Sequence, residues 1–356
     1  MQELLDLDDI TLIPSVINNG WRNNNQINYL TRDTISGIQD SFPIFTSPMP
    51  AIVNEKNWRL WMNNKINSVI PRTVDLNTRL ELCQYTFSCL SFEEAKQNFL
   101  DQDRRYIQAQ FKLCLDVGNG HDSLILELAS KLKQQYGKQV ILMGGNIENP
   151  NAYVNYSRAG FDFMRVGMTS GSLVIKSKFA FGYPMASLLM EISKEKAKNT
   201  VRPLNIIVDG GIKDYSDIIK CIALGADYVM IGREFAKILE AAGTVYNKKR
   251  SSDGVESLEE ILRSADLSEE ELKDLGVYRI YSGNTTLETQ AIRAGYSNID
   301  QLNNPKIVDS KNIWIPVTRR LDSWIDELKE HIRYTFMMTN AKNWHEFRSN
   351  VRIGRI

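Results

Sequence analysis

From about residue 112 onward, short apolar runs alternate with amphipathic stretches. KLCLD (112–116), QVILM (139–143), DFMRV (162–166), NIIVD (205–209) and DYVMI (227–231) each read as a buried strand. Between them SLILELASKLKQQYG, AYVNYSRAG, PMASLLMEISKEKAK and DYSDIIKCIALG carry apolar positions at helical spacing, and another helix follows GRE. Short apolar strands alternating with helices imply parallel strands joined by right-handed crossovers. Upstream, FPIFTS (42–47), INSVI (66–70) and FSCLS (87–91) bring the strands to eight. Eight suits a (β/α)₈ TIM barrel; an open doubly wound sheet, the alternative, usually uses fewer. The expected layout is one barrel domain over residues 1–356, with an inserted segment and return near 244–320 and a helical tail at 321–340. The insert holds the charged run SSDGVESLEEILRSADLSEEELKDLG, expected to be helical and exposed or partly mobile.

Composition narrows the class. A chain that is 43% hydrophobic and 24% charged is too apolar for a disordered one. Its 43 Lys and Arg cancel its 43 Asp and Glu, so no nucleic-acid or anionic-membrane partner is expected. The start, MQELLDLDDI, is acidic where a signal peptide would be basic and then apolar, and no apolar run reaches the roughly 20 residues of a membrane span. A cytoplasmic location is the resulting expectation. Cys83, Cys89, Cys114 and Cys221 lack the C-x-x-C spacing of a zinc site, and Cys89 and Cys114 sit inside apolar runs as small buried hydrophobes. His121, His331 and His345 are too scattered to suggest a metal centre.

Polar and Gly-rich residues fall directly after the strands: Asp116 to Gly120 (including Asn119), Gly144-Gly145-Asn146, Gly167 to Ser172, Asp209-Gly210-Gly211 and Gly232-Arg233. In a barrel these loops share the C-terminal face, where substrates bind. Glycine loops after the last two strands, each opening a helix, form the usual phosphate cradle of such barrels. Each glycine alone reads equally well as a tight turn; the set together points to a site. Asp209 ends an aliphatic strand, where an acid is costly unless a ligand hydroxyl or a neighbouring N–H uses it, a helix cap being the alternative.

These residues carry a resemblance. DLDDITLIP, SPM (47–49), CLDVGNGH (114–121), GGN (144–146), AGFDFMRVG followed by SGS (170–172), GYP (182–184), IIVDGGI (206–212), ALGADYVMIG (223–232) and YSG (281–283) follow in order the signposts of the IMP dehydrogenase and GMP reductase family. The match runs from Asp8 to the tail, and the short spacing before CLDVGNG leaves no room for the regulatory (CBS-type) insert of the dehydrogenases, so the layout is similar to GMP reductase. The resemblance implies a (β/α)₈ barrel assembled as a homotetramer, a purine mononucleotide ligand and a nicotinamide cofactor, NADPH or NAD. It implies that Ser172, Gly211, Gly232 and Tyr281 hold the phosphate and Asp209 the ribose hydroxyls, with Arg233 and Gly283 beside them and Asp116, Asn119, Gly145, Asn146 and Arg72 at the mouth. Arg233 stands where the family commonly has a small residue; a guanidinium there either reinforces the phosphate grip or obstructs it.

The pattern breaks where the family reacts. The family's nucleophilic cysteine lies two residues after the loop serine, and here that position is Val174; an isopropyl group cannot attack a purine. The two threonines that follow are Ile175 and Lys176, and the first glycine of the loop is Thr169, which removes a feature of the potassium site formed there. Asn284, Thr285 and Thr286 replace the family's Met-Ser-Ser after Gly283, and Asp309 takes the position of the acid that a reductase places before its V-P strand. Three readings stay open. One is an enzyme with altered chemistry, with Lys176 and Asp309 as candidate catalytic groups; the second is a non-catalytic nucleotide-binding protein serving as sensor, partner or assembly subunit; the third, last in order on mechanism, is a plain oxidoreductase with the family's chemistry.

Overall fold

The computed structural model describes residues 3–15, 27–32, 40–102, 109–167, 181–198, 202–247, 267–283, 286–293 and 311–356. Eight parallel strands, β2 (Ile44–Thr46), β3 (Val69–Ile70), β4 (Phe87–Leu90), β5 (Phe111–Asp116), β6 (Val140–Ile147), β7 (Phe163–Val166), β8 (Asn205–Asp209) and β9 (Tyr228–Ile231), form one sheet in the order 2-9-8-7-6-5-4-3. A parallel bridge from Phe45 to Asn67, with Asn67 N–H donating to the Ile44 carbonyl and Thr46 N–H to that of Asn67, joins β2 to the approach of β3. The ring therefore closes as a (β/α)₈ barrel. The strands read as unbroken apolar runs because both faces are covered, one by helices and one by the barrel interior.

Alternation along each strand decides what enters the interior. Phe45, Val69, Phe87, Cys89, Cys114, Ile141, Met143, Phe163, Ile207, Tyr228 and Met230 fill it as one buried cluster. Phe45, Phe87 and Phe163 meet edge to face at centroid distances of 5.3–5.9 Å. Truncating Phe163 to Ala would cost about 3–5 kcal/mol, because neighbours this close-packed cannot collapse into the void. Cys89 and Cys114 are opposite one another on β4 and β5, and all four cysteines are buried and unbridged.

The outer helices follow local signals. Asp122 caps α4 (Ser123–Tyr136), whose Ile125, Leu128, Ala129 and Leu132 form its buried stripe. Ser91 and Glu94 form a reciprocal capping box at the start of α3 (Phe92–Phe99). Asp214, rather than Asp209, caps α7 (Tyr215–Ala223), so the cap alternative for Asp209 falls away.

Two additions lie outside the strand-and-helix alternation. β1 (Ile10–Ile13) pairs antiparallel with β13 (Arg352–Arg355), tying the two ends of the chain together. β10 (Val245–Asn247), β11 (Val277–Ser282) and β12 (Asn312–Pro316) form an antiparallel sheet within the segment expected to be an insertion. Of the charged run 251–276, the described part contains one short helix (Glu269–Leu275) with a Ser268/Glu271 capping box. The tail helix runs Leu321–Met338, followed by a second at Trp344–Asn350. Among the described residues, no helix is long and apolar enough to cross a membrane.

Candidate functional site

Because side chains alternate, the residue two after an inward apolar position also faces inward, one layer nearer the mouth. Cys114 is followed in this way by Asp116, Phe163 by Arg165 and Ile207 by Asp209. These three polar residues form a closed ion-pair lattice across the top of the core. Arg165 Nη2 and Nε donate to Asp209 Oδ2 at 2.7 and 3.0 Å, and Nη1 donates to Asp116 Oδ1 at 3.2 Å. Nη1 also lies 3.6 Å from Cys114 Sγ, sealing the interior thiols beneath the guanidinium. Burial works against the Arg165 charge, but Asp209 together with Cys114 and Asp116 outweighs it and holds the guanidinium firmly charged. Burial likewise opposes the Asp116 carboxylate, and Arg293, Arg165 and Arg72 outweigh it, holding the acid below the usual carboxylate range.

Space for Arg165 comes from the GGN run. Gly144, Gly145 and Asn146 were expected in a loop; they belong to β6, with Gly145 paired to Asp116. A Cβ on Gly145 would lie 2.5 Å from the Arg165 carbonyl oxygen, so close approach to β7 is why glycine stands there. Asn146 Nδ2 donates to Asp209 Oδ2 at 2.9 Å and to the Gly167 carbonyl at 2.6 Å. Three donors thus converge on Oδ2, while among the described residues Oδ1 takes no hydrogen bond.

Beside Asp209, the ends of β8 and β9 present their glycines. Gly210 and Gly211 have φ of 106° and 82°, values that side chains rarely adopt. A Cβ on Gly232 would strike the Tyr281 hydroxyl, with Ser47 Cβ at 3.6 Å. Burial raises the Tyr281 phenol above its ordinary value; the negative charge of Asp209 adds to this and Arg233 opposes it. Gly232, Tyr281 and Asp209 therefore stand together, with Arg233 exposed at the first turn of α8 (Arg233–Ala236).

Tyr281 is held there by its own strand. Val277, Arg279 and Tyr281 occupy the buried face of β11. Arg279 is fully buried and donates five hydrogen bonds of 2.6–3.1 Å, to the carbonyls of Ala236, Ile238, Leu239, Ala241 and Gly243. One guanidinium thereby shapes the turn that leaves Gly232 and docks the strand that brings Tyr281 over it.

A model of the IMP dehydrogenase / GMP reductase domain matches residues 107–356, which carry this whole constellation apart from Ser47 and Arg72. The chain belongs to the IMP dehydrogenase / GMP reductase family. It is 25% identical to the GMP reductase of Bacillus subtilis over 257 residues, 70% of this chain and 76% of that relative. It is 36% identical over 132 residues to the inosine-5'-monophosphate dehydrogenase of Chlorobaculum tepidum, covering 37% of this chain. The GMP reductase of Leishmania major is 36% identical over 138 residues. The chain spans about a quarter to a third of the length of the dehydrogenases it matches, from 26% to 34%.

Across the mouth lies a cationic side, of which the family signposts had given only Arg72. On the closed ring β4 stands four strands from β8. There Arg79 forms a forked pair with Glu94, Nη2 to Oε1 at 2.8 Å and Nη1 to Oε2 at 3.1 Å. Arg293, the last residue of α10 (Leu287–Arg293; Glu269–Leu275 counting as α9), places Nη2 3.5 Å from Asp116 Oδ2. Arg72 follows β3 and influences both Asp116 and Arg293.

The remaining candidates divide. Asn119 is exposed and its Oδ1 accepts from the His121 N–H at 3.0 Å, a turn within its own loop. Gly283 is buried, and its carbonyl accepts from Thr286 N–H and Oγ at the start of α10. Ser172, Val174, Lys176 and Asp309 lie outside the described residues, as do Asn284 and Thr285. Sequence reading passed over Arg165, Arg279 and Arg293 as site residues. Arg165 did leave a signal, a charge two positions after an inward Phe in an otherwise apolar strand. Arg279 and Arg293 left none, since what they touch is remote in sequence.

Proposed function

We propose that this chain binds a purine mononucleotide in the barrel mouth and does so without the family's covalent thiol step. The observation that carries the reading is the meeting of Gly232, the Tyr281 hydroxyl and Asp209. The phosphate would sit at the starts of the helices after β8 and β9, against Gly211, Gly232, Tyr281 and Arg233, where backbone N–H groups and a cation favour an anion. Ser172 would complete that cradle. Asp209 Oδ1, which takes no hydrogen bond among the described residues, would accept a ribose hydroxyl, its partner oxygen being pinned by Arg165 and Asn146.

The reacting group is what has changed. Val174 cannot form an adduct, and none of the four buried cysteines can replace it, Cys114 and Cys89 lying under Arg165 in the core. Lys176 and Asp309 remain the candidate groups for any altered chemistry. Among the described residues both oxygens of Asp116 face arginines, and Asp309, the other candidate carboxylate, lies outside them. NADPH or NAD stays the cofactor that the family resemblance implies, and both readings, an enzyme with altered chemistry and a non-catalytic nucleotide-binding protein, stay open.

Calorimetry with GMP, IMP and their nucleosides side by side tests the binding. Several charge-assisted hydrogen bonds at about 1.5–3 kcal/mol each should make the nucleotide at least about tenfold tighter, and equal affinities would sink the phosphate grip. For the chemistry, wild-type protein should form no adduct with a purine carrying a leaving group at position 2, by intact mass. Val174→Cys should form one while still failing to turn over GMP, because Ile175 and Lys176 replace the hydroxyls that would move the proton. Reduction of GMP by wild type with NADPH at an ordinary enzyme rate would refute this reading.

A further inference from the structure

Two loops of the mouth are fastened to each other through one imidazole. The main chain brings them together: Gly120 N–H, after β5, donates to the Asn146 carbonyl of β6 at 3.2 Å. The Tyr156 hydroxyl of α5 (Ala152–Ala159) donates to the Gly120 carbonyl at 2.8 Å. A Cβ on Gly120 would lie 2.6 Å from the Asn146 carbonyl oxygen, so the β5 loop is pressed onto the end of β6. One residue on, His121 Nε2 accepts the Glu148 N–H at 3.1 Å. The His121 N–H donates to Asn119 Oδ1 at 3.0 Å, which holds the backbone from which the ring reaches across.

An imidazole nitrogen accepts only while it carries no proton, so the neutral ring here keeps its proton on Nδ1. Protonating Nε2 would set two N–H groups against each other and end the bond. Loss of water around the ring lowers the His121 pKa, and the Glu148 carboxylate opposes this without prevailing. Two further ionisable groups stand on the neighbouring elements. The Asp122 carboxylate accepts the Leu124 N–H at the start of α4, and burial holds the Tyr156 phenol well above its ordinary value.

We infer that His121 is an acid-sensitive latch between the β5 and β6 loops, closed when the imidazole is neutral and open when it is protonated. Its closing contribution is complete above the ordinary histidine value of about 6.5 and fades as pH falls through the lower value of the latched ring. What the latch steadies is Asn146, two residues before Glu148, whose Nδ2 donates to Asp209 Oδ2 and to the Gly167 carbonyl. The latch stands on contacts within the chain and is independent of the nucleotide reading.

Hydrogen exchange with peptide mass spectrometry tests this on the full chain without ligand, between about pH 8 and about pH 5, with amide rates corrected for their intrinsic pH dependence. In wild type, protection of the peptides holding Gly120 and Glu148 should fall together, several-fold, since a one-unit displacement of the pKa corresponds to at most about tenfold. Exchange of the imidazole C2 proton, read on the same peptides, should place His121 below the ordinary histidine value. His121→Gln, whose amide oxygen accepts without titrating, should keep both peptides protected across the range, and His121→Leu should lose the protection throughout. Glu148→Gln leaves the donating N–H in place and removes the charge that favours the cation, so the midpoint should move to lower pH. If wild type is equally protected at both ends of the range, or if His121→Leu is protected at about pH 8 as wild type is, the latch is overturned.

Discussion

Replacing Arg279 with Met keeps a stem of similar length and removes the guanidinium that five main-chain carbonyls share. Two effects oppose one another. Five buried acceptors lose their donor, at about 1 kcal/mol each if the lower end of the range for an unsatisfied group applies, since a carbonyl tolerates this better than an N–H. Against this, the variant no longer has to keep a guanidinium out of water, which recovers several kcal/mol of desolvation. Five such losses come to about 5 kcal/mol, so against a recovery of about 3 kcal/mol the first effect should win by about 2 kcal/mol. A folded domain has about 5–15 kcal/mol in hand, so the barrel should survive while residues 236–243 open locally. Hydrogen exchange should show faster exchange of those amides, with the β5–β8 amides unchanged. Nucleotide affinity should fall with the turn, as Gly232 and Tyr281 lose their common anchor, while nucleoside affinity changes little. Arg279→Lys retains the charge but only three donors, and should lie between wild type and Met. If Arg279→Met exchanged and bound nucleotide as wild type does, Arg279 would not be the organiser of this side of the mouth.

Two further outcomes follow from the same geometry. Gly232→Ala forces a methyl against the Tyr281 hydroxyl and should weaken a nucleotide at least about tenfold with little effect on its nucleoside; adding Tyr281→Phe should recover part of the loss by calorimetry, and no recovery would show that the contact is not the cause. The lowered pKa of Asp116 means that its stabilisation is complete above an ordinary Asp value of about 4 and fades as pH falls through the lower folded value. The gap in urea midpoint between wild type and Asp116→Asn should therefore narrow from pH 5 towards pH 2, and a constant gap would refute the assignment.

Much of the barrel was legible because parallel strands covered on both faces write themselves as apolar runs. NIIVD matches β8 residue for residue, and the other seven strands fall within the runs or within a few residues of them. The errors have physical causes. GGN looked like a loop because glycine is rare in strands; it is a strand because β7 brings Arg165 against it. INSVI yields only Val69–Ile70 as regular strand, since Asn67 spends its backbone on the closure with β2. The β1–β13 ribbon and the β10–β12 sheet went unseen because pairing between segments far apart leaves no periodic trace in either one.

The site follows a related rule. Residues that a ligand would touch lay at strand ends and could be read from position alone. Residues that arrange them could not, because an arginine reveals its role only through what it meets. Arg165 meets Asp116 and Asp209, which stand on opposite sides of β6 and β7, and so links the ribose side of the mouth to the cationic side. Moving either carboxylate shifts the partner of the other through one rigid guanidinium. Any coupling between the two ends of a ligand would therefore pass through the Arg165 lattice.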